Sequence, residues 1–146
     1  MKFDELMEQS NHNPSVIIFG ENHFKFDEVS RIRRNVIDFQ PDIIVHELYW
    51  EEEYFYRSHL PNIDVVPLEK EVGKFGSLKS QFISRERSMI SRLKRYYRKY
   101  NRIAVVIGDA HLRTVDTKEL GKRSPVITWA NSVGAKVVRS NHREIN

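Results

Sequence analysis

Two stretches of the chain end in the same way. VIIFGENHF (residues 16–24) runs apolar residues into Gly20 and then sets Glu21 and His23 two apart; IAVVIGDAHL (103–112) runs into Gly108, Asp109 and His111. A second-strand candidate, DIIVHEL (42–48), ends on His46 and Glu47, and a third, IDVVPLEK (63–70), ends on Glu69. Carboxylates and imidazoles brought within reach of each other can activate water, ligate a divalent cation or steady a developing anion. His12, His59 and His142 have no such context and read as surface residues.

For these side chains to meet, apolar runs must lie side by side and point the same way. SVIIFG (15–20) is a continuous apolar run bounded by turn residues, as expected of a strand buried on both faces. In DEVSRIRRNVIDF (27–39), Val29, Ile32, Val36 and Phe39 recur at helical spacing, Asp27 and Glu28 suit the first turn, and Pro41 enforces the stop. With 42–48 as the next strand this is a βαβ unit with parallel strands. Residues 3–9 are expected to form a short amphipathic helix, and 70–80, with two glycines, a loop. WEEEYFYRSHLPN (50–62) reads either as a helical turn or as a lid-like loop. A long helix is expected over 80–100, the clearest strand over 102–110, a short helix at DTKELGKRS with Gly121 as its stop, and a helix and last strand (135–139) within 125–140. The alternation predicts a single α/β domain, 1–146, with a largely parallel central sheet flanked by helices and the site at the C-terminal ends of the strands. The glycines would let the backbone turn sharply there and approach a ligand.

The long helix carries a charge where none is expected. Phe82, Met89, Leu93, Tyr97 and Tyr100 form one stripe, flanked by Ile90 and Tyr96, while Arg92, Arg95, Arg98 and Lys99 take the other side. Glu86 falls within the stripe and Arg85 at its edge, so both are expected to find internal partners, because an unpaired buried charge is costly.

GENH, PDIIVHELYWEEEY, SRERSMISRL and VVIGDAHL, in this order over residues 16–115, resemble the motifs of the TraB / TIKI / erythromycin-esterase / ChaN-like superfamily. The resemblance implies Gly20, Glu21 and His23 as a first Gly-x-x-His motif and Glu47 as the second-strand acid. It implies Arg85 and Arg87 as an Arg-Glu-Arg helix motif, and Gly108 and His111 as a second Gly-x-x-His. Helical geometry favours Arg85 over Arg87 for the site. The superfamily's enzymes are typically much longer, and its activities range over peptide cleavage, macrolide ester hydrolysis, haem-iron binding and regulation, so the resemblance implies no particular substrate.

Two hydrolytic chemistries follow. In one, His23 and His111 with Glu21 or Glu47 (the set His23, Glu47, His111 being preferred) hold a divalent ion, zinc, manganese, cobalt or iron. The spare carboxylate is then the base, and Arg85 holds the anion. In the other, His23 is the base, Glu47 orients it, and His111 with Arg85 stabilises the oxyanion. The expected substrate is a small molecule or peptide, neutral or anionic, joined by an ester, amide or phosphoester bond. The rival from another class is a non-catalytic protein that binds haem, metal or a nucleotide.

Bulk composition bounds these readings. Hydrophobic residues make up 40% of 146, enough for one core. Cysteine is absent, so thiolate chemistry is excluded and a reducing, cytoplasmic setting is expected. MKFDELMEQSNHNPS has no apolar segment of the signal-peptide kind, and no run approaches a membrane span. The net charge of +4 gathers in RIRR (31–34) and RLKRYYRKYNR (92–102), which read as solvated helix faces; the strand-end residues do not call for nucleic acid.

Overall fold

The computed structural model describes residues 13–22, 26–47, 50–68 and 78–139. The expected helix at 3–9, most of the expected loop at 70–80, and His12, His23, Glu69 and His142 lie outside them. Strand β1 (Ser15–Glu21) leads to α1 (Phe26–Phe39), β2 (Ile43–His46), α2 (Trp50–His59) and β3 (Asp64–Pro67). Then come α3 (Leu78–Tyr97), β4 (Arg102–Gly108), a 3-10 turn (Asp109–Leu112), α4 (Pro125–Ser132) and β5 (Lys136–Arg139). The strands form one sheet in the order β3-β2-β4-β1-β5, and every pairing is parallel. The α/β architecture expected from the sequence is thus present. β1 and β2 are parallel but not neighbours: β4, nearly 60 residues later in the chain than β2, inserts between them.

β4 takes the centre because it is apolar on both faces, with Ile103, Ala104, Val105, Val106 and Ile107 all buried. Strand alternation sends Ile103, Val105 and Ile107 to one side, where they pack with Met89 and Leu93 of α3 and Val126, Trp129 and Ala130 of α4. Ala104 and Val106 go to the other, with Ile32 and Val36 of α1 and Tyr56 of α2. Helices α1 and α2 therefore cover one face, and α3 and α4 the opposite one. The chain leaves β1 and β2 toward the first face and β4 toward the second, so the carboxyl end of β4 is a topological switch point, the usual place for a ligand in such a sheet.

Local chemistry sets the boundaries. α1 ends where Gln40 adopts a left-handed φ of 52° before Pro41. The Arg102 guanidinium of β4 donates to the otherwise open carbonyls of Phe39 and Gln40 and lies 4.3 Å over the Phe39 ring. Ser124 caps α4 through the Val126 N–H at 3.1 Å, with Pro125 in the first turn. WEEEYFYRSH is a full helix because Glu52 and Tyr56, four apart, both turn inward while Arg57 and Glu53 pair outside at 3.1 Å.

The helix expected at DTKELGKRS is a correction. Residues 117–121 form a tight turn closed by an antiparallel bridge between Thr117 and Gly121. The Thr117 hydroxyl takes the Leu120 N–H at 3.0 Å, competing with a helical bond, and Gly121 has φ 90°, a value that a helix cannot use. No described helix is long and apolar enough to cross a membrane.

Candidate functional site

The pleat divides the residues at the strand ends between the two faces. β2 sends Ile43 and Val45 toward α3, so Glu47 follows them; Ile44 and His46 face α2. On β1, Phe19 packs on the α1–α2 face and Glu21 follows it, where the charges of Glu52 and Arg33 act on it. The sheet edge thus presents two clusters, one on each side of the end of β4.

On the α3 side, His111 sits between two carboxylates. Its Nε2 is 3.1 Å from Glu47 Oε2, and its Nδ1 is 2.8 Å from Glu86 Oε2. Arg113 closes the network with two bonds to Glu86, Nη1 to Oε2 at 2.8 Å and Nη2 to Oε1 at 2.7 Å. Phe82 covers the imidazole with ring centroids 4.7 Å apart, and Arg85 donates to Glu47 Oε2 at 3.2 Å. Glu86 has no exposure at all, so the charge that the sequence placed on the apolar stripe of α3 is buried and fully paired. Arg85, at the edge of that stripe, reaches Glu47, while Arg87 is exposed on another face.

Burial alone would lower the His111 pKa. The hydrogen bonds to Glu47 and Glu86, with their charges, outweigh it and raise it to about 9, so the ring is an imidazolium at neutral pH. Burial would likewise raise Glu47 and Glu86. For Glu47 the His111 hydrogen bond and charge, the Gly108 N–H and Arg85 reverse the direction and hold it below the usual carboxylate range. For Glu86, His111 and Arg113 do the same.

On the opposite side, Glu21 is 2% exposed. Burial raises its pKa to about 8, the Glu52 and Glu47 charges adding to the effect and Arg33 opposing it. Glu52 is buried and forked by Arg33, Nε to Oε2 at 3.1 Å and Nη2 to Oε1. The fully buried Tyr56 phenol is held protonated by burial and then by the Glu52 and Glu21 charges. His46, also buried, has Nε2 3.6 Å from Glu53 Oε1.

The glycines serve close packing of protein on protein. A Cβ on Gly20 would meet Asp109 Oδ1 and Leu112 Cδ1, each at 2.7 Å, so Gly20 admits the 3-10 turn onto β1. A Cβ on Gly108 would lie 2.7 Å from Glu47 Oε1, which accepts the Gly108 N–H. Since Gly108 has φ −63° and ψ 138°, any residue could adopt its backbone. Gly108→Ala is therefore a steric test alone: it should displace the Glu47 carboxylate and lower stability by about 1–3 kcal/mol in urea titrations.

Glu21, Glu47, Arg85 and His111 are therefore all at the edge, divided between its two faces, and His23 lies outside the described residues. Asp109 instead binds Arg139 of β5, with Oδ2 3.0 Å from Nη2. Exposed His59 stacks on Phe55 at a 4.1 Å centroid distance. Arg113, Arg33 and Glu52 were not singled out from the sequence. The inward Glu86 signalled that a cation was needed but not which one; Glu52 could have been found from its i, i+4 spacing with Tyr56.

Of the preferred metal set, Glu47 Oε2 and His111 Nε2 lie 3.1 Å apart across a hydrogen bond, so an ion bound by both would have to displace the Nε2 proton, with Glu86 on Nδ1 as the outer carboxylate that metal-bound histidines commonly have. Among the described residues no three His, Cys, Asp or Glu side chains are grouped to hold a metal, so a third donor would have to come from outside them, as His23 would. No protein-family model matches the chain, and no curated protein sequence matches it.

Proposed function

We propose that this chain is a hydrolase of ester, amide or phosphoester bonds, working at the carboxyl ends of β1, β2 and β4. The supporting observation is that Glu21 and Glu47, on the two strands that flank β4, are held in opposite protonation states at neutral pH. A carboxyl whose pKa is pushed up toward neutrality is suited to take up and return a proton, while one held ionised can anchor a cation.

Glu21, titrating at about 8, is the proton carrier. In its ionised form it takes a proton from water as the water oxygen attacks the carbonyl or phosphoryl centre. It then returns that proton to the departing alkoxide oxygen or amide nitrogen, which leaves as an alcohol or amine, so that water is consumed and the site is restored. Arg85, with a side chain one-third exposed at 34%, meets the charge that develops on the attacked group. Glu47 is the fixed anion of the site. It anchors Arg85 and helps keep the Glu21 pKa high. His111 has both nitrogens on carboxylates, so it positions Glu47. If a divalent ion is used, His23, Glu47 and His111 would hold it, and it would supply a bound water of lowered pKa. The resemblance to the TraB / TIKI / erythromycin-esterase / ChaN-like superfamily supports the same reaction class.

A binding protein for haem, metal or a nucleotide is the second reading. It is favoured by the closed Glu47–His111–Glu86–Arg113 network, in which every charge already has a counter-charge. A panel of ester, peptide and phosphodiester substrates separates the two. Turnover should fall about 100-fold or more in Glu21→Gln, as expected for loss of a general acid–base. It should fall likewise in His111→Ala, and chelator should abolish it only if the ion is used. Wild-type rates in Glu21→Gln would remove the catalytic reading.

A further inference from the structure

A concavity lies between the first turns of α3 and the 117–121 turn. It has a volume of about 560 Å3 and is lined by Lys79, Ser80, Ile83, Ser84, Arg87, Gly121 and Lys122. That volume suits a small molecule. Three of the lining residues are cations and none is an acid. The side chains of Lys79, Arg87 and Lys122 are exposed and make no ion pair among the described residues. The first turn of α3, where an acid would normally offset the helix dipole, holds none and offers Lys79 instead. Ser80 and Ser84 add hydroxyls one helical turn apart, and Ile83 supplies an apolar floor.

The shape of the rim is built in. Gly121, at φ 90°, brings the 117–121 turn against Lys79, whose side-chain carbons lie 3.8 Å from where a Cβ would stand. The next residue, Lys122, joins this groove to the network. Its carbonyl accepts from both Nε and Nη2 of Arg113 at 3.1 Å. Arg113 holds Glu86, and Glu86 holds His111 Nδ1. The chain from groove to imidazole is thus made of direct hydrogen bonds, each charge-assisted.

We propose that this groove binds a small phosphate-bearing anion through Lys79, Arg87 and Lys122, and that its occupancy is transmitted through Lys122, Arg113 and Glu86 to His111. A di- or triphosphate group would match the three cations and the Ser84 hydroxyl, and Ile83 would seat a base or similar flat apolar part. This inference does not rest on hydrolysis at the strand ends.

The test uses the full chain, with pyrophosphate and ADP as probes, by titration calorimetry at low ionic strength. Saturable one-to-one binding is expected. Lys79→Gln/Arg87→Gln/Lys122→Gln should weaken it at least tenfold, whereas Lys94→Gln/Arg95→Gln, at the other end of α3, should leave it unchanged. The His111 imidazole resonances should shift on ligand addition in the wild type and not in the triple variant. Equal weakening by both variants, binding of an oligonucleotide but of neither probe, or unmoved His111 resonances in the bound protein would overturn the proposal. Binding without turnover would count against the hydrolase reading and leave this one intact.

Discussion

Glu86→Gln is expected to destabilise the protein by about 3–5 kcal/mol, the usual loss when one member of a buried charge cluster is removed. Glu86 is fully buried and is the only carboxylate bonded to Arg113 among the described residues. The amide would leave the guanidinium without a counter-charge and would turn an N–H toward groups that are themselves donors. The measurement is the urea midpoint and slope at pH 6. The double variant Glu86→Leu/Arg113→Met should recover a large part of the loss, since replacing both partners removes the desolvated charges together. If Glu86→Gln fails to fold, Arg113→Lys gives the same sign with a smaller effect, because one point charge replaces a two-pronged clamp. A Glu86→Gln protein as stable as the wild type would mean that the pairing at the heart of the α3 side contributes nothing.

Stability should also decline as pH rises from about 5 to 9, opposite to the habit of proteins held by salt-bridged acids. Two groups take up protons on folding. Glu21 has a folded pKa of about 8 against an unfolded value near 4.5, so between these values only the folded state holds the proton and raising the pH favours unfolding. His111 has a folded pKa of about 9 against 6.5, so its contribution is complete below 6.5 and is lost as pH climbs through 9. Glu47 and Glu86 are shifted downward, so their contributions are present above the ordinary carboxylate pKa and fade in acid. The maximum should therefore fall near pH 5. At about 1.4 kcal/mol per pKa unit, the alkaline decline amounts to at most roughly 3–5 kcal/mol for each of the two groups. Glu21→Gln should flatten the slope between pH 5 and 8 and leave the protein more stable than wild type at pH 8, while lowering turnover. A gain in stability with a loss of activity is the signature of a group kept for chemistry. A slope unchanged in Glu21→Gln would show that its carboxyl ionises as freely in the fold as outside it.

Much of this architecture could be read directly from the chain. The runs at 15–20 and 102–110 are apolar on every residue that a sheet must bury, and a helix with Val29, Ile32 and Val36 on one side has a single way to hide them. Local periodicity is set by the residues themselves, so β1, α1, β4 and the inward-facing Glu86 were legible. Residues 114–123 were not, because the Thr117 hydroxyl and the positive φ of Gly121 decide the turn and neither shows as periodicity.

The gathering of Glu21, Glu47 and His111 at one sheet edge followed from sequence alone, since parallel strands end on the same side. Which of them touch did not. Alternation along each strand sent Glu21 to α1 and α2 and Glu47 to α3, and the placement of β4 between β1 and β2 set the distance between them. The partners of the buried charges, Arg113 for Glu86 and Arg33 for Glu52, lie 27 and 19 residues away along the chain. A charge pair has no preferred sequence spacing once it leaves a single helix, so only the packed fold could choose them.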